Sequence, residues 1–228
     1  YKLGGGGGTV WDTLVFDPDL DILYIGTGNG SPWNRDLRSP GGGDNLYLSS
    51  IVAINPNDGK YIWHYQTTPK ENWDYTATQQ LILAELTIKG EERKIIMQAP
   101  KNGFFYVLDR VTGELLSAEK FGHVTWATHV DMATGRPVES EFADYQKNGG
   151  SYLWPSPFGA HNWQPMSYSQ KTGYIYIPVQ SFPAYFTGQK EVRYLENRWN
   201  TGVDLNEIRG PQSWVAGRAV MDALVYGE

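Results

Sequence analysis

What most constrains the fold of this chain is a hairpin that recurs along it. Val52-Ala53-Ile54-Asn55 runs through Gly59-Lys60 into Tyr61-Ile62-Trp63, and 54 residues after Gly59 the same punctuation returns as Val107-Leu108-Asp109 before Thr112-Gly113-Glu114. Ser169 to Gly173, ahead of Tyr174-Ile175-Tyr176-Ile177, echoes an earlier hairpin in which Val15-Phe16 and Ile22 to Ile25 flank Asp17-Pro18-Asp19-Leu20-Asp21. Apolar runs on either side of Pro, Asn, Asp and Gly turns read as β-hairpins. Recurrence every ~40 to 55 residues, with several strands per unit, is the signature of a β-propeller. The alternative is a sandwich of stacked hairpins.

Composition supports an all-β reading. Aromatic residues make up 14% of the 228 residues, with 9 Trp and 15 Tyr, against 19% charged. That balance suits short strands with aromatic packing between sheets. The 26 Gly and 13 Pro are spread without a break in character, which favours residues 1–228 as part of a single domain. Helix content should be low. The best helical candidate, Trp73 to Leu86, reads at least as well as a loop followed by a strand, with Lys94 to Met97 beyond Gly90 as the next strand. The pattern weakens from Phe121 to Ser156, and from Phe182 onward it suggests a long excursion or an incomplete blade.

Several function classes drop out. A net charge of -6 with scattered Lys and Arg argues against a nucleic-acid partner. With no Cys there is no disulfide framework, zinc-thiolate site or thiol catalysis within these residues. No apolar run is long enough to span a membrane as a helix. The chain starts at Tyr1 and ends at Val225-Tyr226-Gly227-Glu228 without punctuation, so a fragment of something longer is expected.

The candidate site lies in Gly4 to Asn29 taken with Asp74 and Lys101. Five consecutive glycines, Gly4 to Gly8, lead into Thr9-Val10-Trp11-Asp12. Glycine lets the backbone approach a bound group closely, so the stretch looks like a platform for a planar ligand. It is not a dinucleotide fingerprint, since no strand precedes it and no helical pattern follows, and no Walker lysine is present. His64, His123, His129 and His161 lack metal-ligand spacing. A hard cation would take oxygens instead, which Asn29 and Asp74 offer.

Four segments carry a resemblance to a known family. GGGTVWD, LYIGTGNGSPWNRDLRSPGGGDNLYLSSIVA, WHYQTTPKENWDYTATQ and QAPKNGFFYVLDR closely resemble the quinoprotein alcohol dehydrogenases that use pyrroloquinoline quinone (PQQ). The likeness continues through GAHNWQPMSYS and covers the chain to about Pro183. GNGSPW and SPGGGDNLYLSS are more similar to the alcohol dehydrogenases, including the quinohaemoprotein type, than to the methanol dehydrogenases. The family fold is an eight-bladed propeller, of which this chain would supply about three to four blades.

The resemblance implies roles for individual residues. Trp11 would stack on the PQQ plane and Thr9 would hydrogen-bond its acid groups; an isolated Trp is more often core packing, but a packed strand gains nothing from a preceding glycine run. Asn29 would ligate calcium, although an Asn between glycines is individually more often a turn residue. Asp74 would be the catalytic base and a calcium ligand, where a lone Asp is usually a cap. Lys101 would contact the quinone oxygens, where a lone turn lysine is usually solvated. Asn162 and Trp163 would line the cofactor pocket, with propeller packing the alternative for Trp163. Trp63 would dock between adjacent blades and be structural.

On that resemblance the implied chemistry is oxidation of primary alcohols to aldehydes. Calcium would act as Lewis acid, Asp74 as base and Lys101 as charge stabiliser, with electrons passing to a cytochrome c or to a haem c on a missing domain or partner. The lanthanide-using relatives carry a second aspartate two residues after the catalytic one; here that position is Thr76, which favours calcium. A glutamate calcium ligand, an adjacent-cysteine disulfide and the closing blades would lie outside the chain, so the separate polypeptide is expected to be inactive and poorly soluble. A periplasmic location is implied. Two other readings are a propeller scaffold that binds proteins without a quinone and a carbohydrate-binding β-domain. Neither accounts for Asn29, Asp74 and Lys101 occurring together.

Overall fold

A computed structural model describes residues 6–189 and 194–208, and almost all of its regular structure is antiparallel strand. The first sheet is formed by β1 (Leu14–Asp17), β2 (Ile22–Gly26), β3 (Ser50–Ile54) and β4 (Tyr61–Gln66), with the single-turn helix α1 (Arg35–Arg38) between β2 and β3. The second contains β5 (Ile82–Ile88), β6 (Glu91–Gln98), β7 (Phe104–Asp109) and β8 (Leu115–Lys120). In both, spatial order equals chain order, the four-stranded meander of a propeller blade. Segment 73–81 is loop and β5 follows it, as the sequence predicts.

Shorter ladders follow. β9 (Ala127–Asp131) pairs with β10 (Arg136–Glu139), and β12 (Ser167–Ser169) pairs with β13 (Tyr174–Tyr176). β11 (Ser151–Leu153) pairs with β14 (Ala184–Phe186), so the weakly patterned stretch after Phe121 and the start of the tail close on each other. A single-turn α2 (Leu205–Ile208) ends the described chain. The blades expected from sequence therefore stand as two complete sheets and the β12–β13 hairpin, whose Tyr168 and Ile175 pack on Ala84, Ile95 and Met97 of the second sheet. Residues 209–228, which include the chain's final segment, lie outside the described residues.

One turn builds most of these hairpins. In Asn55–Gly59, Asp109–Gly113, Asp131–Gly135 and Ser169–Gly173 the glycine N–H donates to the carbonyl four residues back, at 2.7–2.8 Å. The glycines have φ of 68° to 79°, a region that side chains with a Cβ resist. In the first three the Asn or Asp Oδ1 also accepts a backbone N–H two residues on, at 2.8–2.9 Å. That short side chain bonding its own turn is why Asn and Asp open it. Asp131–Gly135 is thus a further copy of the repeat inside the stretch where the sequence pattern weakens.

The two sheets are joined through these turns. Trp63 on β4 is buried, its Nε1–H donates to the Arg110 carbonyl at 3.2 Å, and its ring lies on Gly113. Tyr24 on β2 donates its hydroxyl to the same carbonyl at 2.7 Å. Arg110 itself is buried, 2.7 Å from the Asp17 carboxylate of the first sheet, and donates to the Ala84 carbonyl of the second at 3.0 Å. Two residues along β4, Tyr65 donates to the Gly135 carbonyl at 2.7 Å, so successive inward positions of one strand dock on successive copies of the turn. Beyond them Trp73, Tyr75, Phe104, Tyr106 and Trp126 complete an aromatic core. Each such buried ring contributes about 1.5–3 kcal/mol.

Candidate active site

Asp74 is held from both sides. Its neighbours Trp73 and Tyr75 are fully buried; Trp73 donates its indole N–H to the Ala143 carbonyl at 3.1 Å, and Tyr75 donates its hydroxyl to the Pro155 carbonyl at 2.5 Å. Between these anchors Asp74 adopts φ +67°, the left-handed region that is costly for a non-glycine residue. Lys101, on the Pro100–Gly103 turn before β7, reaches back to it. Its Nζ lies 3.0 Å from Asp74 Oδ2 and 3.2 Å from the Asp74 carbonyl oxygen. The two side chains are only 14% and 9% exposed, so the pair is largely removed from water.

Burial raises the Asp74 pKa, Lys101 pulls it back and the nearby Glu71 carboxylate raises it again, leaving it at about 7. A carboxyl group whose ionisation is balanced near neutrality can both accept and release a proton. Its Oδ2 is occupied by the Lys101 ammonium.

Gly6 to Gly8 meet the Asn29 loop, while Gly4 and Gly5 of the glycine run lie outside the described residues. Gly8 N–H donates to the Asn29 carbonyl at 3.0 Å, and Gly7 pairs with Gly30 as an isolated β-bridge. A Cβ at Gly7 would stand 2.6 Å from the Asn29 carbonyl oxygen, and one at Gly28 would stand 2.9 Å from that of Thr9. These two positions require glycine for closeness of backbone to backbone. Thr9 and Trp11 continue from there; Trp11 is 45% exposed, whereas Trp33, Trp63, Trp73 and Trp126 are buried. Asn29 is half-buried, and its Nδ2 donates to the Gly30 carbonyl at 3.1 Å.

The last predicted segment joins through the backbone. Ala160 N–H donates to the Lys101 carbonyl at 3.0 Å, and Gly159 packs so tightly on Lys101 that a Cβ would meet its Cγ at 2.5 Å. Asn162 donates to the Phe158 carbonyl at 3.0 Å, and Trp163 is 64% exposed. The structure thus brings Asp74 and Lys101 into direct contact, bonds the Asn162 segment to Lys101 through Ala160, and bonds the Thr9 segment to the Asn29 loop through Gly8. It places Trp11 and Trp163 as exposed indoles on those segments.

Three residues were not singled out from sequence. Glu71 is fully buried beside Asp74; Asp12 has a carboxylate oxygen, Oδ2, that is buried without a hydrogen-bond partner; His161 is buried with Nδ1 facing the Ala99 carbonyl at 2.5 Å and Nε2 facing that of Gln164 at 2.6 Å. Burial raises the Asp12 pKa, and His161 opposes that. All three stand inside segments that carry the resemblance, one or three places from a predicted residue. Elsewhere, concave regions of about 340, 620 and 580 Å³ open on other faces, and none of the three is lined by Asp74, Lys101, Asn29 or Trp11.

Consecutive antiparallel meanders docked through tryptophan and glycine, with a buried acid–base pair among the loops at their ends, define a partial β-propeller with an enzyme-like site. The family model for the glucose/ethanol/alcohol dehydrogenase β-propeller domain, PQQ type, matches residues 2–120, and the chain belongs to that family. Quinohemoprotein alcohol dehydrogenase ADH IIB of Pseudomonas putida is 62% identical over 221 residues, 97% of this chain and 32% of that protein. The solved structure of quinohemoprotein alcohol dehydrogenase ADHIIG from Pseudomonas putida HK5 superposes with TM-score 0.85 at 53% identity, covering 88% of this chain and 30% of that one. A europium-containing methanol dehydrogenase superposes with TM-score 0.79 at 37% identity, covering 83% and 33%. The chain spans about a third of the length of these relatives.

Proposed function

We propose that the full-length protein oxidises primary alcohols to aldehydes with PQQ and calcium, and that Asp74 is its base. The observation that carries the reading is the buried Asp74–Lys101 pair at 3.0 Å. When bound, PQQ supplies a two-electron acceptor and calcium a Lewis acid that polarises it.

The residues present fit both groups. Asn29 Oδ1 and the Asp74 carboxylate are hard oxygen donors of the kind calcium takes. Among the described residues no group of three or more His, Cys, Asp or Glu converges on one point, and on this reading Asn29 and Asp74 are this chain's share of the ligands. Thr76 is buried, with its hydroxyl accepting from Gln79 Nε2 at 2.9 Å and Thr78 Oγ1 at 3.2 Å. It adds no charge, which suits a divalent ion. The exposed indole of Trp11 would offer a flat face to the quinone, with Thr9, Asn162 and Trp163 as further lining.

Each side chain then has a physical task. Asp74 takes the alcohol's hydroxyl proton at Oδ1 while Lys101 holds Oδ2 and fixes the carboxylate plane. The Lys101 ammonium stabilises negative charge developing beside it, in a site that excludes most water. Trp11 restricts the cofactor to one orientation. Electrons would pass to a haem c or a cytochrome c, as the name quinohemoprotein of the relatives suggests, and the location would be periplasmic.

The test is dye-linked oxidation of ethanol by full-length protein freed of cofactor and metal, with PQQ and calcium added singly and together, beside Asp74→Ala. Turnover that needs both additions and disappears in the variant supports the reading. A folded protein with no turnover under any addition would leave a propeller scaffold as the better account.

A further inference from the structure

Glu71 is a fully buried carboxylate that the mechanism above does not use. Its Oε1 accepts the backbone N–H of Trp73 at 2.6 Å and that of Tyr75 at 2.8 Å, the two amides on either side of Asp74. Its Oε2 faces the N–H of Gly30, the residue after Asn29, at 3.5 Å. One side chain therefore touches the backbone flanking the proposed base and the backbone next to the proposed metal ligand. Arg38 closes the arrangement from the other side: it donates to the Glu71 carbonyl oxygen, to the Pro32 and Trp33 carbonyls at 2.6 and 2.8 Å, and to Asn45 Oδ1 at 3.0 Å. A Cβ on Gly30 would stand 2.6 Å from Arg38 Nε, so that glycine is needed for the guanidinium to lie across the loop.

An ionisable group is rarely buried without a return. Burial raises the Glu71 pKa, while Arg38 and the amides of Tyr75, Trp73 and Gly30 lower it. A loop residue held at φ +67° persists only when its surroundings over-determine it, and two flanking N–H groups gripped by one oxygen do that.

We propose that Glu71 is a positioning residue, a carboxylate clamp that holds Asp74 in its left-handed conformation and ties the Asp74 loop to the Asn29–Gly30 loop. This rests on the assignment of Asp74 above. Glu71 touches neither substrate nor cofactor on this account; it acts through the backbone. Misplacing a catalytic group by about 1 Å costs ~100-fold in rate, and losing the outer support of a metal ligand costs ~10-fold or more in affinity.

The experiment compares Glu71→Gln, Glu71→Leu and Asp74→Ala in the full-length protein, reading kcat and KM for ethanol, calcium affinity by titration, and hydrogen exchange at the Trp73 and Tyr75 amides. Gln keeps one oxygen acceptor for the Trp73 and Tyr75 amides and loses the one facing Gly30, so slow exchange at both amides and kcat within about 3-fold of wild type are expected, with calcium affinity weakened toward that of the Leu variant. Leu keeps the bulk but no acceptor; expected are kcat lower by ~100-fold with KM little changed, calcium affinity weaker by ~10-fold, and fast exchange at both amides. If the Leu variant does not fold, Glu71→Asp, one methylene too short to serve both amides, takes its place with the same expectation. A folded Leu or Asp variant with wild-type kcat and calcium affinity overturns the proposal, as does a Gln variant whose kcat and amide exchange are no better than those of Leu. Full activity in Asp74→Ala would instead overturn the base assignment, and the exchange data still report whether the clamp exists.

Discussion

The indole of Trp63 lies on the backbone of Gly113, so closely that a Cβ at that glycine would stand 2.7 Å from Trp63 Cε3. Gly113 also has φ +79°, and Gly59, its counterpart in the first sheet, has φ +70° with nothing within 4 Å of the same Cβ position. The pair separates two costs that usually come together. Gly59→Ala carries backbone strain alone, ~1–2 kcal/mol, whereas Gly113→Ala adds displacement of a buried ring, for a further ~1–3 kcal/mol. Urea unfolding of the full-length variants measures the difference; equal losses would mean that the tryptophan does not depend on that glycine.

Why the propeller was legible follows from this contact. A turn that needs Asn or Asp at its start and Gly at its end, with an aromatic docked on it, leaves the same letters at each repeat, and the offset between Gly59 and Gly113 exposes it. The copy at Asp131–Gly135 was harder to see because the partners flanking it are the short β9 and β10, without long apolar runs. The pairing of β11 with β14 could not be read at all: Leu153 and Ala184 are partners 31 residues apart, and nothing local specifies such a ladder.

Site legibility divides along the same line. Asp74, Lys101 and Asn29 stand in long motifs and were found by resemblance. Glu71 lies in the same Lys70-Glu71-Asn72-Trp73-Asp74 run, but a glutamate three residues before an aspartate carries no sign that it will fold back onto the amides of residues 73 and 75. That information resides in a left-handed φ, which sequence does not print for a non-glycine residue.

Asp109 gives a pH prediction. Burial works to raise its pKa, but the N–H groups of Thr112 and Val111, with Arg93 and the Thr112 hydroxyl, outweigh it and leave the carboxyl below the ordinary aspartate value of 3.8. The unfolded chain therefore binds the proton more readily, and stability rises with pH across that window. The contribution is complete above about pH 4 and is lost as pH falls through the lower folded value. Asp109→Asn keeps an acceptor for the turn and removes the charge, so it should cost ~1–2 kcal/mol at neutral pH and flatten the acid limb. Unfolding midpoints at a series of pH values below 5 would show whether the two curves converge.

Arg110 joins the sheets as a buried cation 2.7 Å from the buried Asp17 carboxylate. Removing one partner strands the other, so Arg110→Met should destabilise by ~3–5 kcal/mol. Adding Asp17→Asn removes the stranded charge, and the double variant is expected to recover part of that loss, a coupling that a double-mutant cycle measures directly. Strictly additive losses would mean that Arg110 acts through its bond to the Ala84 carbonyl and not through Asp17.

The Asp74–Lys101 pair reverses the pH behaviour of Asp109. With no metal bound, the Asp74 pKa is about 7 in the folded chain against 3.8 for an ordinary aspartate, so between those values the folded state holds the extra proton. Stability from this group is therefore full below about pH 4 and is lost as pH rises through 7. Asp74→Asn removes the titration and should make the metal-free protein more stable than wild type at pH 8 while leaving the two alike at pH 4. Lys101→Met acts oppositely: it takes away the ammonium that lowers the Asp74 pKa, so the carboxyl stays protonated to higher pH and is a poorer proton acceptor at neutrality. Alcohol oxidation by that variant should fall by ~100-fold or more at pH 7 and recover partly in alkaline buffer. A pH–rate profile unchanged in shape, lowered equally at every pH, would place the role of Lys101 in charge stabilisation alone and not in setting the protonation of Asp74.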